Sequence, residues 1–382
     1  MKRNFLFAVL LFYSCSHNED RKNSGTLVLR GNLTLPVSER TIVQTDAMFP
    51  FLHHDNLYLG FLNNGANEIL IYDIDSANLD RRISLPTDGD LGVGTIKGFM
   101  IFQPDTIYIT SRSRKHIYIT DGAGRIIDKI FYANTIDGQP VEMAYYSRSD
   151  INTPLIRNNK KLYLTNYLFG NYNAINAEIL NEHPVCVEVD EVTRNVRFMP
   201  MKFISDYWDK ESHYEPSYIR IFNDKSFVYM WRYSDRILVT EDHVKIKEYK
   251  IRSQYFSDFG KIPPPDNIEA NLRDLLASPC FFNITWDQYR SCYYVFAYPG
   301  QEVTNGMDLM NAWRYLNRFS VIVLNEDFNI LSETMMPENT YYIQNYFVGK
   351  EGLYISKNNP NNPEYSDDEL VFDIFLAEDL RK

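Results

Sequence analysis

The chain is poor in cysteine, in excess positive charge and in long apolar runs. Its 382 residues include four cysteines, too few for a disulfide framework in a chain of this size. The apolar run at 5–13 is too short to span a bilayer. The net charge is −11, whereas nucleic-acid binding selects basic patches. We therefore expect no nucleic-acid partner, and no electrostatic docking on anionic lipid.

The chain also lacks the motifs of common catalytic and cofactor sites. No Gly-x-Ser-x-Gly pattern marks a serine nucleophile, and no spacing resembles a zinc or calcium site. The glycine-rich segment 89–98 lacks the following helix that dinucleotide binding requires. We therefore predict no metal, no cofactor and no catalytic residue. The sequence leaves open whether the protein is an enzyme, and it favours a non-catalytic role.

One sequence pattern recurs six times along the chain. A strand ending in an aromatic residue is followed by a second strand that runs into an acidic or amide turn. The aromatic members are Tyr58, Tyr108, Tyr163, Tyr229, Tyr294 and Tyr354. Units of this period stack because one unit cannot bury its own apolar face. With the apolar stretches before and after, each repeat has about four antiparallel strands, which predicts an all-β fold, a six-bladed β-propeller.

The two ends of the chain predict how the ring closes. The last repeat ends near Leu380 and lacks a fourth strand, while 26–35 forms an orphan strand pattern near the start. We predict that this N-terminal strand completes the last blade and so removes an exposed sheet edge. Residues 26–382 then form a single propeller domain. Helical patterns at Ile268–Ala277 and within 307–319 are expected in insertions between strands.

The first residues read as a targeting segment. Lys2 and Arg3 precede the apolar run, and Ser14-Cys15 follows it directly. This order resembles a bacterial lipoprotein signal, which implies a signal peptide at 1–14, lipid on Cys15 and a polar tether at 15–25. Ser16 fits outer-membrane sorting by the same resemblance. The predicted location is the cell envelope, as an outer-membrane lipoprotein on the periplasmic side or the cell surface. The alternative is an ordinary signal peptide with an incidental cysteine.

The connections between predicted strands are unequal at the two ends of the ring. Turns between strands one and two, and between three and four, are tight and polar, and we call that end the tight-turn face. The remaining connections are long and aromatic, and they form the long-loop face. Binding residues gather on such loops. The candidate ligand-binding residues are Arg112, Arg114, Tyr167, Tyr172, Trp208, Trp231, Arg232, Trp313 and Tyr315. The alternative is that these aromatics pack between blades.

Three cysteines lie within the predicted propeller. Cys186, Cys280 and Cys292 are expected to be small buried apolar residues. A bridge between Cys280 and Cys292 on one hairpin is the alternative, and it would need Cα atoms within roughly 7 Å.

The lipoprotein start, the tether and six tyrosine-rich blades together resemble the six-bladed propeller lipoproteins of Bacteroidetes, several of which are known only as domains of unknown function with a TolB-like propeller. The resemblance covers about residues 26–380. It implies an envelope-anchored protein that binds a glycan, a peptide or a protein partner on its long-loop face. Two alternatives remain open: a glycan-active hydrolase or lyase with its site at the channel mouth, and a scaffold subunit of an envelope complex.

Overall fold

The computed structural model describes residues 26–112, 114–141, 151–166, 176–204, 207, 217–260 and 267–378. The first strand is β1 (Leu27–Pro36), and the strands that follow build six sheets of four antiparallel strands. This confirms the predicted all-β, six-bladed propeller.

The first three blades follow one another along the chain, and within each blade the hydrogen-bonded order equals the chain order. Blade 1 consists of β2 (Met48–His53), β3 (Asn56–Asn63), β4 (Glu68–Asp73) and β5 (Asn78–Ser84). Blade 2 consists of β6 (Ile96–Gln103), β7 (Thr106–Ser111), β8 (His116–Thr120) and β9 (Ile126–Phe131). Blade 3 consists of β10 (Ile156–Asn158), β11 (Lys161–Thr165), β12 (Cys186–Asp190) and β13 (Val196–Phe198).

The next two blades repeat this order, and three short helices lie in their neighbourhood. Helix α1 (Ala177–Glu182) lies in the β11–β12 loop, α2 (Ile268–Ala277) between blades 4 and 5, and α3 (Leu309–Arg314) within blade 5. Blade 4 consists of β14 (Tyr218–Phe222), β15 (Phe227–Trp231), β16 (Arg236–Thr240) and β17 (Lys247–Lys250). Blade 5 consists of β18 (Cys280–Asp287), β19 (Cys292–Tyr298), β20 (Ser320–Asn325) and β21 (Ile330–Met335). Both predicted helices are confirmed.

Blade 6 joins the two ends of the described chain. It consists of β22 (Tyr346–Gly349), β23 (Gly352–Ser356) and β24 (Glu369–Ala377), with β1 as its outermost strand. Strand β1 runs antiparallel to β24, so that Leu27 pairs with Ala377 and Pro36 with Glu369. The predicted closure by the N-terminal strand is therefore confirmed.

The repeated aromatic residues lie on the second strand of each blade, and they pack between blades. Tyr229 and Tyr294 are fully buried, and Tyr354 is 3% exposed. Tyr163 of blade 3 contacts Phe227 of blade 4 edge to face, with ring centroids 4.8 Å apart. Because each blade is apolar on both sides, it is stable only between two neighbours.

The turns on the tight-turn face are as short as predicted. His54 and Asp55 link β2 to β3 with φ values of 49° and 66°, and Asn159 and Lys160 do the same between β10 and β11. Two central residues with positive φ are typical of hairpin turns whose twist matches the flanking strands. Among the described residues, no helix is long and apolar enough to cross a bilayer.

The three cysteines of the propeller are free and buried. Cys280 pairs with Tyr298 and Cys292 with Asp287, so the two cysteines lie at opposite ends of the β18–β19 hairpin. The structure therefore confirms the interpretation as small buried residues and leaves no bridge on this hairpin.

Candidate ligand-binding pocket on the long-loop face

A pocket of about 430 Å³ opens on the long-loop face. It is bounded by the β1–β2 connection, the β3–β4 loop, the region around α3 and the β21–β22 connection. We call it the long-loop pocket. Its lining residues are Ile42, Gln44, Thr45, Asp46, Asn64, Met310, Trp313, Arg314, Tyr315, Tyr342 and Gln344. Four separate connections therefore converge on one cavity, which is typical of a ligand site on a rigid scaffold.

One wall of the long-loop pocket is aromatic and is positioned by α3. The carboxylate of Asp308 caps this helix by accepting a 3.0 Å hydrogen bond from the backbone N–H of Asn311. The helix carries Trp313 and ends at Tyr315, whose ring lies 5.7 Å from that of Tyr342. Aromatic side chains with open faces can stack on the apolar face of a flat ring.

Trp313 is held in place by its contact with Phe282. Its ring lies edge to face against Phe282, with centroids 6.4 Å apart. Phe282 is 2% exposed, and the guanidinium of Arg232 lies 4.5 Å from its ring centroid. Arg232 and Trp313, both predicted as ligand-binding candidates, therefore meet around Phe282, and Trp313 is fixed in place by this contact.

The opposite wall is polar and is held by a pair of amide hydrogen bonds. The side chain of Asn345 accepts a 3.1 Å bond from the Thr45 backbone N–H and donates a 2.7 Å bond to the Thr45 carbonyl. Next to it, the Gln44 amide donates to the Asn358 carbonyl at 2.9 Å. These bonds link the two ends of the ring, and they position the Gln44 and Asp46 side chains at the pocket.

The charges at this pocket are unequally matched. The Lys97 ammonium forms a 2.6 Å ion pair with Asp46, which balances that carboxylate. Arg314 lines the pocket, is exposed and forms no ion pair within the described residues. Burial, with smaller effects from Asp46 and Tyr315, raises the pKa of the Tyr342 hydroxyl, so Tyr342 stays neutral and available as a hydrogen-bond donor. The pocket therefore offers one unpaired cation beside its aromatic wall.

Carboxylates are scarce at the long-loop pocket. Glycoside hydrolysis ordinarily needs two carboxyl groups that flank the scissile bond. Asp46 is the one carboxylate among the described lining residues, and it is paired with Lys97. Across the described part of the chain, no group of three or more His, Cys, Asp or Glu side chains has the arrangement of a metal site.

The other predicted candidates have different positions. Arg112 is exposed in the β7–β8 loop, whereas the Arg114 guanidinium donates to the carbonyls of Gly92 at 2.6 Å and Thr87 at 3.2 Å. Trp231 is fully buried and packs on Tyr218, so in this conformation it contributes packing and offers no surface to a ligand. The remaining predicted positions lie outside the described residues: Cys15, Tyr167, Tyr172 and Trp208.

Sequence reasoning missed the polar half of the pocket. Tyr342 and Gln344 lie just before β22, which begins at Tyr346, in a stretch whose aromatic residues resemble those of a strand. Gln44 and Asp46 lie in the connection after β1, which carries no motif. The usable signal was the polar pair Gln344 and Asn345, which interrupts a strand that would be buried on both faces.

The ring of six four-stranded blades, closed by its own first strand, defines this protein as a six-bladed β-propeller. The chain belongs to the family described as Domain of unknown function (DUF4221), whose profile matches residues 24–335. No functionally curated protein matches the chain.

Solved structures agree with this family. A crystal structure of a DUF4221 member from Bacteroides vulgatus has a TM-score of 0.83 and 25% identity, covering 94% of this chain and 99% of that one. A protein from Bacteroides fragilis described as exported has a TM-score of 0.51 and 10% identity, with coverages of 92% and 95%, and it shows the fold alone. Virginiamycin B lyase from Staphylococcus aureus has a TM-score of 0.44 and 11% identity, with coverages of 92% and 100%, which supports no functional argument.

Proposed function

We propose that this protein is a lipid-anchored envelope protein whose propeller binds a glycan in the long-loop pocket. The observation that carries the proposal is the convergence of three aromatic side chains, Trp313, Tyr315 and Tyr342, with amide groups on the facing wall. A sugar ring offers an apolar face for stacking and hydroxyl groups that both donate and accept. Aromatic and amide side chains match these two properties.

The unpaired Arg314 favours a glycan that carries a carboxylate. A guanidinium binds a carboxylate through two parallel hydrogen bonds, and Arg314 forms no ion pair within the described residues. A peptide would use the same aromatic wall, but the described pocket is bounded by loops and exposes no strand edge for backbone pairing. A scaffold role would not need a cavity of this kind.

The polarity of β1 supports ligand access in an anchored protein. Leu27 lies at the tight-turn end of blade 6, because it pairs with Ala377 at the end of β24 that is remote from the long β23–β24 loop. A tether over 15–25 would therefore leave the ring at the tight-turn face. Such a tether reaches at most about 35 Å. The long-loop pocket would then be directed away from the membrane.

A glycan screen with residues 26–382, which contain every strand of the ring, tests the binding proposal. Acidic oligosaccharides are expected to bind, and Trp313→Ala should raise the dissociation constant about tenfold. Trp286→Ala removes a tryptophan from the opposite face and serves as the matched control. If no saccharide binds, or if both substitutions weaken binding equally, the proposed site is wrong.

The anchor is tested by fractionating cells that produce the full chain. Replacing Cys15 by Ala should move the protein from the membrane fraction to the soluble fraction, because the lipid attachment atom is removed. Cys280→Ala, which changes a cysteine inside the propeller, should leave the protein in the membrane fraction. Membrane association that survives Cys15→Ala would refute the lipid anchor without bearing on the pocket.

A further inference from the structure

A second cavity, of about 630 Å³, opens on the tight-turn face between blades 4 and 5. It is bounded by the β14–β15 and β16–β17 turns of blade 4 and by β18, β19 and the β20–β21 turn of blade 5. We call it the interblade groove. Its lining residues are Asn223, Lys225, Ser226, Val239, Thr240, Glu241, Asp242, Lys245, Ile246, Lys247, Tyr249, Trp286, Tyr293, Glu326, Asp327 and Phe328.

At the tight-turn face, no cationic side chain of the described residues forms a hydrogen bond across this junction. At the junction of blades 1 and 2, Arg81 donates to the Pro104 carbonyl at 3.1 Å. At the junction of blades 5 and 6, Arg290 donates to the Gly349 carbonyl at 3.3 Å. At this face, the junction of blades 4 and 5 is crossed instead by a short neutral bond, from the Asn223 amide to the Tyr293 hydroxyl at 2.6 Å. The lysines of this junction are therefore left for another partner.

The floor of the groove is a continuous row of aromatic rings. Tyr293 stacks on Phe328 with centroids 4.7 Å apart, and Trp286 and Tyr249 extend the row at 4.6 Å on either side. Tyr293 and Phe328 are buried, whereas Trp286 and Tyr249 are half-buried. A ligand in the groove would therefore meet the exposed parts of one tryptophan and one tyrosine.

The two walls carry opposite charges. On the blade 4 side, the ammonium groups of Lys245 and Lys247 form no hydrogen bond or ion pair within the described residues. The acids of this wall are already engaged, since Glu241 lies 3.9 Å from Lys225 and Asp242 accepts from the backbone N–H groups of Val244 and Lys245. The blade 4 wall is therefore the cationic one.

On the blade 5 side, Glu326 and Asp327 line the groove, and their carboxylates form no hydrogen bond or ion pair within the described residues. The groove is thus cationic on one wall, anionic on the other and aromatic at its floor. A ligand with a single charge would meet repulsion from one wall. A zwitterion whose two charged groups are a few bonds apart would satisfy both.

We propose that the interblade groove binds the phosphoethanolamine headgroup of a phospholipid, with the phosphate at Lys245 and Lys247 and the ammonium at Glu326, Asp327 and the aromatic floor. Half-buried tryptophan and tyrosine suit the headgroup level of a bilayer. Val244, at the tip of the adjacent turn, is 63% exposed, and Ile246 is 45% exposed. The choice of a lipid over a soluble zwitterion rests on the proposed lipid anchor, because the tether leaves the ring at this same face.

The overall charge supports a zwitterionic lipid over an anionic one. A net charge of −11 opposes approach to an anionic surface. Binding at the groove would keep the tight-turn face on the membrane and the long-loop pocket away from it. The lipid on Cys15 would supply the anchoring energy, and the groove would supply orientation.

Vesicle flotation with residues 26–382, which lack the anchoring cysteine, tests the groove independently of the anchor. We expect binding to vesicles of phosphatidylethanolamine and phosphatidylcholine, and little binding to phosphatidylcholine alone or to phosphatidylglycerol vesicles. Lys245→Gln with Lys247→Gln should lower the partition coefficient at least about tenfold, because the charge-assisted hydrogen bonds to the phosphate are lost. Glu326→Gln with Asp327→Asn should remove the preference for ethanolamine over choline.

Lys160→Gln is the matched control, since Lys160 is an exposed lysine on the same face but outside the groove. It should bind vesicles as the unmodified protein does. The proposal is overturned if phosphatidylethanolamine vesicles do not bind, or if the double lysine variant equals Lys160→Gln. Soluble glycerophosphoethanolamine tests the source of the headgroup. If the protein binds this compound as tightly as it binds phosphatidylethanolamine vesicles, the proposal that the ligand is a lipid is overturned.

Discussion

The long-loop pocket and the interblade groove lie at opposite ends of the same ring and arise in different ways. The pocket is built by additions to the repeat, because α3 and two interblade connections converge on it. The groove is built by regular short turns, and it lies where no cation of the described residues crosses the tight-turn end of the junction. A cavity in a repeat fold can therefore arise from segments inserted between strands, or from the absence of a contact that other repeats make with their neighbours. Loop length points only to the first kind.

The two cavities also differ in how far along the chain their walls come from. The pocket joins residues near both ends of the propeller through the Thr45–Asn345 hydrogen bonds. The groove uses only residues of two successive blades, from Asn223 to Phe328. Damage to the ring closure should therefore disturb the pocket directly, and the groove only through loss of the whole fold.

The largest effect is expected from the closing strand. Leu35 is fully buried on β1, so Leu35→Ala should lower the free energy of unfolding by about 3 kcal/mol. Leu29 lies on the same strand and is 55% exposed, so Leu29→Ala should change it by less than about 0.5 kcal/mol. Urea denaturation measures both. Equal effects would mean that β1 is not packed as described, and the contrast between the two cavities would lose its basis.

A second test uses pH and bears on the blade 4 wall of the groove. His243 precedes Val244 in the β16–β17 turn, is 1% exposed and shares a 2.8 Å hydrogen bond with the Tyr229 hydroxyl. Burial, aided by Arg220 and opposed by Asp242, lowers the pKa of His243 from 6.5 to about 3. The unfolded chain therefore binds this proton first as the pH falls. The stabilisation that depends on neutral His243 is therefore fully present above pH 6.5. As the pH falls from 6.5 towards 3, the free energy of unfolding decreases by up to about 1.4 kcal/mol per pH unit.

His243→Gln keeps an acceptor for Tyr229 but cannot take up the proton, so its stability should vary less with pH between about 6.5 and 4.5. His54→Gln, in an exposed turn of blade 1, is the matched control. Urea denaturation at several pH values gives the comparison. Parallel curves for the His243 variant and the unmodified protein would show that this side chain is not buried in its neutral form.

The smallest effect is expected at the rim of the long-loop pocket. Tyr315 is half-buried against Tyr342, and Tyr315→Ala should weaken saccharide binding about fivefold, because one stacking surface is lost. Arg112 is exposed and does not line the pocket, so Arg112→Ala should leave the dissociation constant unchanged. Calorimetric titration measures both. A loss with Arg112→Ala equal to that with Tyr315→Ala would mean that the ligand extends across the face, beyond the pocket.

The sequence predicted what depends on periodicity and turn chemistry. The six blades, the closing strand and α2 follow from local apolar patterns that agree with the final packing. Helix α1 was missed because its six residues are too few for a helical period to be visible.

Side-chain direction in the loops was not predictable from the sequence. Trp231 is the last residue of β15 and Trp313 lies in α3, yet the first is fully buried and the second lines a pocket. Their difference depends on tertiary neighbours such as Tyr218 and Phe282. The interblade groove was hidden for the same reason, since its short turns look like those of every other blade.

The pairing of β1 with β24 also constrains the order of folding. Strand β1 is synthesised before the other described strands, and its partner β24 lies about 340 residues later in the sequence. The ring therefore cannot close until β24 has left the ribosome. Until then, the outer edge of β24 and the apolar side of β1 have no partners. An early-made strand that must wait for a late-made one leaves an open sheet edge exposed to other chains. We therefore expect refolding of the isolated propeller to have a slow final phase that reports the closure of blade 6.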